Sequence, residues 1–66
     1  MTPAEFRAIR NRLGLTVAEL AAILGVHPIH VRRMEMDRSR KSGRAVPHVT
    51  ALLMRAMERH GVPGPN

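Results

Sequence analysis

Signals that start and stop helices recur along this chain so closely that only short helices fit between them. Thr2-Pro3-Ala4-Glu5 and Thr16-Val17-Ala18-Glu19 both follow the capping-box pattern, in which a hydroxyl and a carboxylate three residues apart bond each other's backbone N–H. Gly14 and Gly25 follow at positions where glycine commonly ends a helix. Because a helix of about two turns is unstable alone in water, these segments need packed neighbours.

The apolar spacing between these signals predicts helices and no strand. Phe6, Ile9 and Leu13 recur at helical intervals, and no segment alternates apolar with polar residues. The predicted helices run between Thr2 and Gly14, between Thr16 and Gly25, over residues 28–36 and over residues 47–60. The apolar stripe predicted for the last helix consists of Val49, Leu52, Leu53, Ala56 and Met57. The sequence thus predicts an all-α, compact four-helix domain over residues 1–61, with a polar loop at 37–46 and a flexible tail at 62–66.

Size and composition exclude several classes of protein. The 66 residues are 44% apolar with a single aromatic, Phe6, which allows one modest aliphatic core. The chain has no cysteine, so neither a disulfide nor a thiolate metal site is expected. No apolar run reaches the roughly 18 residues of a membrane span, and the first residues lack the pattern of a signal peptide. We therefore expect a cytoplasmic protein that makes no contact with membranes.

Positive charge is concentrated in one part of the chain. The net charge is +6, and residues 27–44 hold six basic and two acidic residues, which is +4 of that total. A local basic patch of this kind favours a polyanionic partner, most often nucleic acid, and the alternative is a solvated surface that keeps the protein soluble. With no Trp or Tyr and one Phe, the chain offers few side chains on which single-stranded RNA could stack, so double-stranded DNA is the favoured partner.

Two short predicted helices meet at Gly25-Val26-His27. A small residue at Ala21, a glycine four residues later and Val31 six residues after that form the spacing of a helix-turn-helix. This arrangement presents the second helix so that its outer residues enter a DNA groove.

Residues 3–36 resemble the helix-turn-helix domain of the lambda-repressor-like, or Cro-type, regulators. The segment Leu13-Gly14-Leu15-Thr16-Val17-Ala18-Glu19-Leu20-Ala21-Ala22-Ile23-Leu24-Gly25-Val26 is close to the family's usual opening, and Val31-Arg32-Arg33-Met34-Glu35 is similar to its Arg-Arg-Trp-Glu-like stretch. Val17 stands where the family often has a phosphate-binding Gln, and Met34 where it often has Trp. We also expect no fifth helix, so the family's usual dimer surface does not carry over.

The resemblance implies that helix 28–36 is the recognition helix. Arg32 and Arg33 point about 100° apart, so one can read a base while the other reaches a phosphate. Ile29 either contacts a thymine methyl or covers the core. Basic residues of the loop either contact phosphates or a minor groove, or belong to a polar linker. The candidate DNA-binding residues are His27, Pro28, Ile29, His30, Arg32, Arg33, Arg38, Arg40, Lys41 and Arg44.

Catalytic and metal-binding constellations are not expected. His27 and His30 have a spacing that a metal could use, but no third ligand lies near them in the sequence. No nucleophile stands in a plausible Ser-His-acid grouping, and Glu35 is expected to position neighbouring arginines or cap a helix. We therefore predict no enzyme activity, no cofactor and no metal.

The predicted function is a sequence-specific transcriptional regulator, most simply a repressor that acts as a homodimer. The resemblance and the size favour an autorepressor of a phage or mobile-element operon, such as an anti-CRISPR-associated regulator. Met54, Met57 and Ile23 are expected to be partly exposed, and Met54 and Met57 are the candidate anchors of the dimer interface. An antitoxin, an RNA-binding or protein-docking module and a cationic membrane-active helix are the alternatives.

Overall fold

The four predicted helices are present, and local caps fix most of their ends. The computed structural model describes residues 1–36 and 45–63. Its helices are α1 (Pro3–Arg12), α2 (Val17–Leu24), α3 (Pro28–Glu35) and α4 (His48–His60). The described residues contain no strand. The expectation of an all-α, four-helix architecture is therefore confirmed.

Capping explains where the first two helices begin. The Glu19 N–H donates to Thr16 Oγ1 at 3.1 Å, and the Thr16 N–H donates to Glu19 Oε1 at 2.9 Å, which completes the predicted capping box of α2. At α1 the Glu5 N–H donates to Thr2 Oγ1 at 3.1 Å. The Glu5 carboxylate accepts from the Thr2 hydroxyl, not from its backbone N–H, so only half of the predicted box forms.

Two helix boundaries, the start of α4 and the end of α3, differ from the prediction by one residue. Pro47 is the N-cap of α4 and the helix begins at His48, while Gly61 caps its end. Helix α3 ends at Glu35, and Met36 is its C-cap. The predicted loop falls mostly on residues 37–44, outside the described ranges, as do residues 64–66 of the predicted tail.

One apolar core joins all four helices. The buried residues are Phe6, Ile9, Leu20, Ala21, Val31, Met34, Met54 and Met57. Helix α2 packs on α3, and α1 packs on both α3 and α4. This places α1 in the middle, with the helix-turn-helix pair on one side and α4 on the other.

The buried face of α4 corrects the predicted stripe. Met54 and Met57 are buried and Leu53 is half-buried, whereas Val49, Leu52 and Ala56 are exposed. Met54 and Met57 are therefore not the partly exposed residues that were expected. Because α4 packs on α1, Met54 and Met57 fill the core, and the side of α4 that holds Val49 and Leu52 faces outward.

None of the helices in the described ranges is long and apolar enough to cross a membrane.

Candidate nucleic-acid interface

The turn between α2 and α3 is held by backbone hydrogen bonds. Gly25 adopts a left-handed conformation, with φ of 72° and ψ of 30°. Its N–H donates to the Ala22 carbonyl at 3.3 Å, and the Val26 N–H donates to the Ala21 carbonyl at 3.0 Å. These two bonds are those of a Schellman motif, which closes α2 and redirects the chain. Any side chain at Gly25 would strain this backbone, so the angle between α2 and α3 depends on glycine at this position.

Helix α3 begins with a histidine cap. The Ile29 N–H donates to His27 Nδ1 at 3.2 Å. The imidazole nitrogen of His27 thus takes the place that a Ser, Thr or Asp oxygen has in most helix caps. Pro28 follows at the first helical position, where its missing N–H costs nothing.

The outer face of α3 holds several of the predicted DNA-binding residues. Val31 and Met34 are buried, so the opposite side of the helix faces outward. Ile29 is 36% exposed, Arg32 is exposed and Arg33 is half-buried. The outer face of α3 is the surface formed by His27, Pro28, Ile29, Arg32 and Arg33. His30 lies beside it, half-buried.

A partly buried ion pair fixes the C-terminal end of α3. Arg10 Nε donates to Glu35 Oε1, with the two side chains 14% and 8% exposed. Arg10 Nη1 also donates to the Leu15 carbonyl at 2.9 Å, and Arg7 Nη2 donates to the Glu35 carbonyl at 3.4 Å. The guanidinium of Arg10, on α1, thus bonds both the α1–α2 turn and the end of α3. Glu35 does position an arginine, but one that lies 25 residues away in the sequence.

The charges of the outer face of α3 are not neutralised within the described ranges. Neither Arg32 nor Arg33 forms an ion pair with another described residue. Arg12 and Arg55, by contrast, pair with Glu58 and Glu5 on the surface between α1 and α4. The outer face of α3 therefore has arginine charge that no described carboxylate pairs and an exposed Ile, a combination that fits phosphates and base edges.

The start of α2 is already occupied by a carboxylate. Hydrogen bonds from the Thr16 backbone and side chain lower the pKa of Glu19, so it is anionic near neutral pH. Val17, at the first position of α2, is half-buried against the core. The capping box engages the N–H groups of Thr16 and Glu19, so two of the four N–H groups at this helix start are already in use.

The remaining predicted sites divide into three groups. Arg38, Arg40, Lys41 and Arg44 lie outside the described residues, so their role stays a prediction. Met54 and Met57 belong to the core, which corrects their assignment as accessible dimer anchors. The described residues hold no cluster of His, Cys, Asp or Glu that could bind a metal ion.

Sequence reasoning missed three exposed large apolar positions, Val26, Val49 and Leu52. Val26 is 39% exposed in the turn, directly before the residue that caps α3. Leu52 is 56% exposed because α4 turns its other face to the core. The signal for Leu52 was present in the sequence, since α4 has apolar residues on two sides and only one side can face the core.

Comparison with known protein families matches residues 6–46 of the chain to a model described as helix-turn-helix. The match begins within α1, includes α2, the turn and α3, and ends just before α4. Comparisons with curated protein sequences and with solved structures gave no significant match.

Proposed function

The chain belongs to the Cro and lambda-repressor type of helix-turn-helix family, and on this premise we propose that it is a sequence-specific repressor that binds double-stranded DNA as a homodimer. Members of the family are DNA-binding transcription regulators and not enzymes. In this proposal the outer face of α3 reads the DNA sequence, binding lowers transcription, and two subunits bind together. An autorepressor of a phage or mobile-element operon, acting in the cytoplasm, is the setting that we favour.

The observation that carries the proposal is the exposed arginine charge on an anchored helix. Arg32 projects from α3 without a carboxylate partner among the described residues, and Ile29 lies one turn before it. The helix is fixed at one end by the His27 cap and at the other by the Arg10–Glu35 pair. A rigid helix that presents a cation and an apolar group fits a major groove, where guanine offers two acceptors and thymine a methyl group.

The homodimer follows from the size of the module. A single domain of this kind covers about 600–1,000 Å² of protein surface on DNA, which is small for specific binding. Two-fold symmetry doubles this contact and predicts half-sites about one helical turn apart. The basic residues Arg38, Arg40, Lys41 and Arg44 are proposed to add phosphate contacts that hold each subunit without selecting a sequence.

Affinity selection from a library of random DNA duplexes tests this function. We expect enrichment of one motif with two-fold symmetric half-sites, and loss of enrichment for Arg32→Ala. Arg12→Ala is the matched control, because Arg12 is an exposed helical arginine engaged by Glu58 on a different surface. Absence of any enriched motif, or equal enrichment by Arg32→Ala, would contradict the proposal.

A promoter experiment tests whether the chain represses or activates transcription. The selected site is placed across a promoter that drives a reporter, and the chain is expressed beside it. We expect reporter expression to fall, and to recover with Arg32→Ala. A rise in expression would show activation and would overturn the repressor assignment alone.

A further inference from the structure

Helix α4 has a second apolar face that no described residue covers. Val49 is 76% exposed and Leu52 is 56% exposed, the two highest values among the large apolar residues that the structure describes. Ala56 lies one turn further on the same side. The outer face of α4 is the surface formed by Val49, Leu52 and Ala56, whose spacing of three and four residues is that of a helix–helix contact.

A shallow groove accompanies this face. Its walls come from one side of α4, and its lining residues are His48, Ala51, Leu52, Arg55, Ala56, Arg59 and His60. Ala51 and Ala56 have small side chains, so the backbone of another helix can approach α4 closely. Exposed apolar side chains grouped on a small domain indicate a contact surface more often than isolated ones do.

We propose that the outer face of α4 pairs with the same face of a second copy of this chain, antiparallel and across a two-fold axis near Leu52. The pairing rests on the proposed function, because it supplies the dimer that reads two half-sites. It takes the place of the contact through Met54 and Met57, which the core makes impossible without unfolding.

The distribution of large and small residues makes the outer face of α4 complementary to itself. Its larger side chains, Val49 and Leu52, stand in the N-terminal half of α4, and the small Ala56 stands in the C-terminal half. In an antiparallel pair with its axis beside Leu52, each Val49 lies over Ala56 of the second copy and the two Leu52 side chains meet. A two-fold contact requires this property, since the same surface serves on both subunits.

The charges determine the orientation. Arg59 lies in the last turn of α4 and forms no ion pair with another described residue. A parallel pair would place the two Arg59 side chains side by side. An antiparallel pair separates them by most of the length of a 13-residue helix, which is about 20 Å.

The same groove fits an acidic partner protein less well. Arg55, at the centre of the groove, already pairs with Glu5 at 3.3 Å and with Glu58 at 3.9 Å, so of the two groove arginines only Arg59 has no ion pair with another described residue. A second copy needs no unpaired cation, because the contact is apolar at its centre.

The size of the face predicts a weak dimer. Three side chains and the stems around them bury much less than the roughly 800 Å² per partner of a stable interface. The free chain is therefore mainly monomeric, and the pair forms when two copies occupy neighbouring half-sites at a high effective concentration. Dimerisation and DNA binding are coupled in this arrangement.

Cysteine cross-linking tests the pairing directly, because the natural chain has no cysteine. Leu52→Cys places one thiol at the two-fold axis, where the Cα atoms come within the reach of a disulfide. Ala22→Cys is the matched control, since Ala22 is an exposed position of α2. We expect Leu52→Cys to oxidise to a covalent dimer faster than Ala22→Cys, and faster still on the selected duplex. Equal rates for the two variants, or a Leu52→Cys rate that the duplex does not change, would overturn the proposal.

Cooperativity gives a second and independent readout. Leu52→Glu places two carboxylates at the axis and is expected to weaken binding to a duplex with both half-sites by at least about tenfold, while binding to a single half-site stays unchanged. Equal binding by Leu52→Glu and the natural chain to the duplex with both half-sites would contradict the pairing.

The two proposals fail in distinguishable ways. If a motif is selected but Leu52→Cys remains monomeric on it, the pairing fails and the DNA-binding function stands. If no motif is selected, the function fails, and oxidation of Leu52→Cys at rising protein concentration still decides the pairing. A monomeric Leu52→Cys that instead captures an acidic protein would assign the groove to that partner and contradict the pairing.

Discussion

The arginines of this chain are used differently on two sides of the molecule. Between α1 and α4, Arg12 pairs with Glu58 at 2.6 Å and Arg55 pairs with Glu5 at 3.3 Å, so cations join neighbouring helices. On the outer face of α3, Arg32 and Arg33 have no such partner among the described residues. The first set stabilises the fold at its surface, and the second is available to a polyanion.

The difference also separates charge that is paired within the fold from charge that no described residue pairs. Arg10 has the most buried ion pair of those that the structure describes, and it sets the position of α3 without facing outward. The total charge of +6 is therefore a poor measure of the charge that DNA can contact. Arginine charge between α1 and α4 is paired, whereas no described residue pairs the arginine charge on the outer face of α3. Substitutions between α1 and α4 should therefore change the stability of the fold, and substitutions on the outer face of α3 should change DNA binding.

The largest expected effect is on stability and comes from the buried pair. Glu35→Gln leaves Arg10 without its carboxylate in a site where both side chains are mostly buried. We expect a loss of about 3–5 kcal/mol in the free energy of unfolding, much of what a domain of this size has. Urea unfolding followed by circular dichroism measures it.

The exposed pair is the control for that measurement. Arg12→Gln removes a pair in which Arg12 is 65% exposed, and exposed pairs contribute about 1 kcal/mol or less. A double variant, Arg10→Met with Glu35→Leu, should recover much of the loss, because an apolar pair needs no compensation. Equal losses for Glu35→Gln and Arg12→Gln would show that the buried pair does not hold α3.

A smaller effect is expected at Ile29, on the outer face of α3. If its side chain contacts a thymine methyl, replacing that thymine by deoxyuridine removes only one methyl group. The expected cost is about 0.8 kcal/mol, or roughly fourfold in binding. Titration of duplexes with single replacements across the selected half-site locates the contact.

Ile29→Ala should be insensitive to the same replacement, whereas Val49→Ala, on α4, should remain sensitive. If no thymine in the half-site gives this pattern, Ile29 covers the core instead of reading the groove, and Ile29→Ala should then destabilise the fold.

The smallest effect concerns Glu19, the exposed carboxylate at the start of α2. Its pKa is lowered from the ordinary value of 4.5 by hydrogen bonds from Thr16. A group whose pKa falls on folding stabilises the fold above its unfolded pKa, and this contribution is lost as the pH falls through its folded pKa. Urea midpoints at about pH 7 and about pH 3 should therefore differ less for Glu19→Gln than for the natural chain. An unchanged difference would mean that the capping box does not couple to the charge.

The sequence predicted the helices well because the signals for them are local. Thr16, Glu19 and Gly25 specify a start and a stop within ten residues, and the structure contains both. The resemblance to the family rests on the same segment. The pair between Arg10 and Glu35 could not be predicted in this way, since its partners come together only when α1 packs on α3.

The error on α4 has a different cause. The helix has apolar residues on two sides, so its periodicity fits two orientations. Packing on α1 buries Met54 and Met57 and leaves Leu52 outside. The choice depends on the shape of a neighbouring helix, which a local pattern does not encode. The roles of Arg40 and Lys41 fall outside the described residues and remain predictions.

The central claim is that the outer face of α3 reads DNA sequence, and a salt titration on the selected and a scrambled duplex tests it most directly. Arg32→Ala or Arg33→Ala should cost about 1–3 kcal/mol on the selected duplex and much less on the scrambled one, so the specificity ratio falls. Arg40→Ala with Lys41→Ala should weaken both duplexes alike and make the salt slope shallower by about 0.9 per lost contact. Arg12→Ala should change neither quantity. If the loop variant loses discrimination while the α3 variants keep it, the loop and not α3 is the recognition element, and the account is wrong.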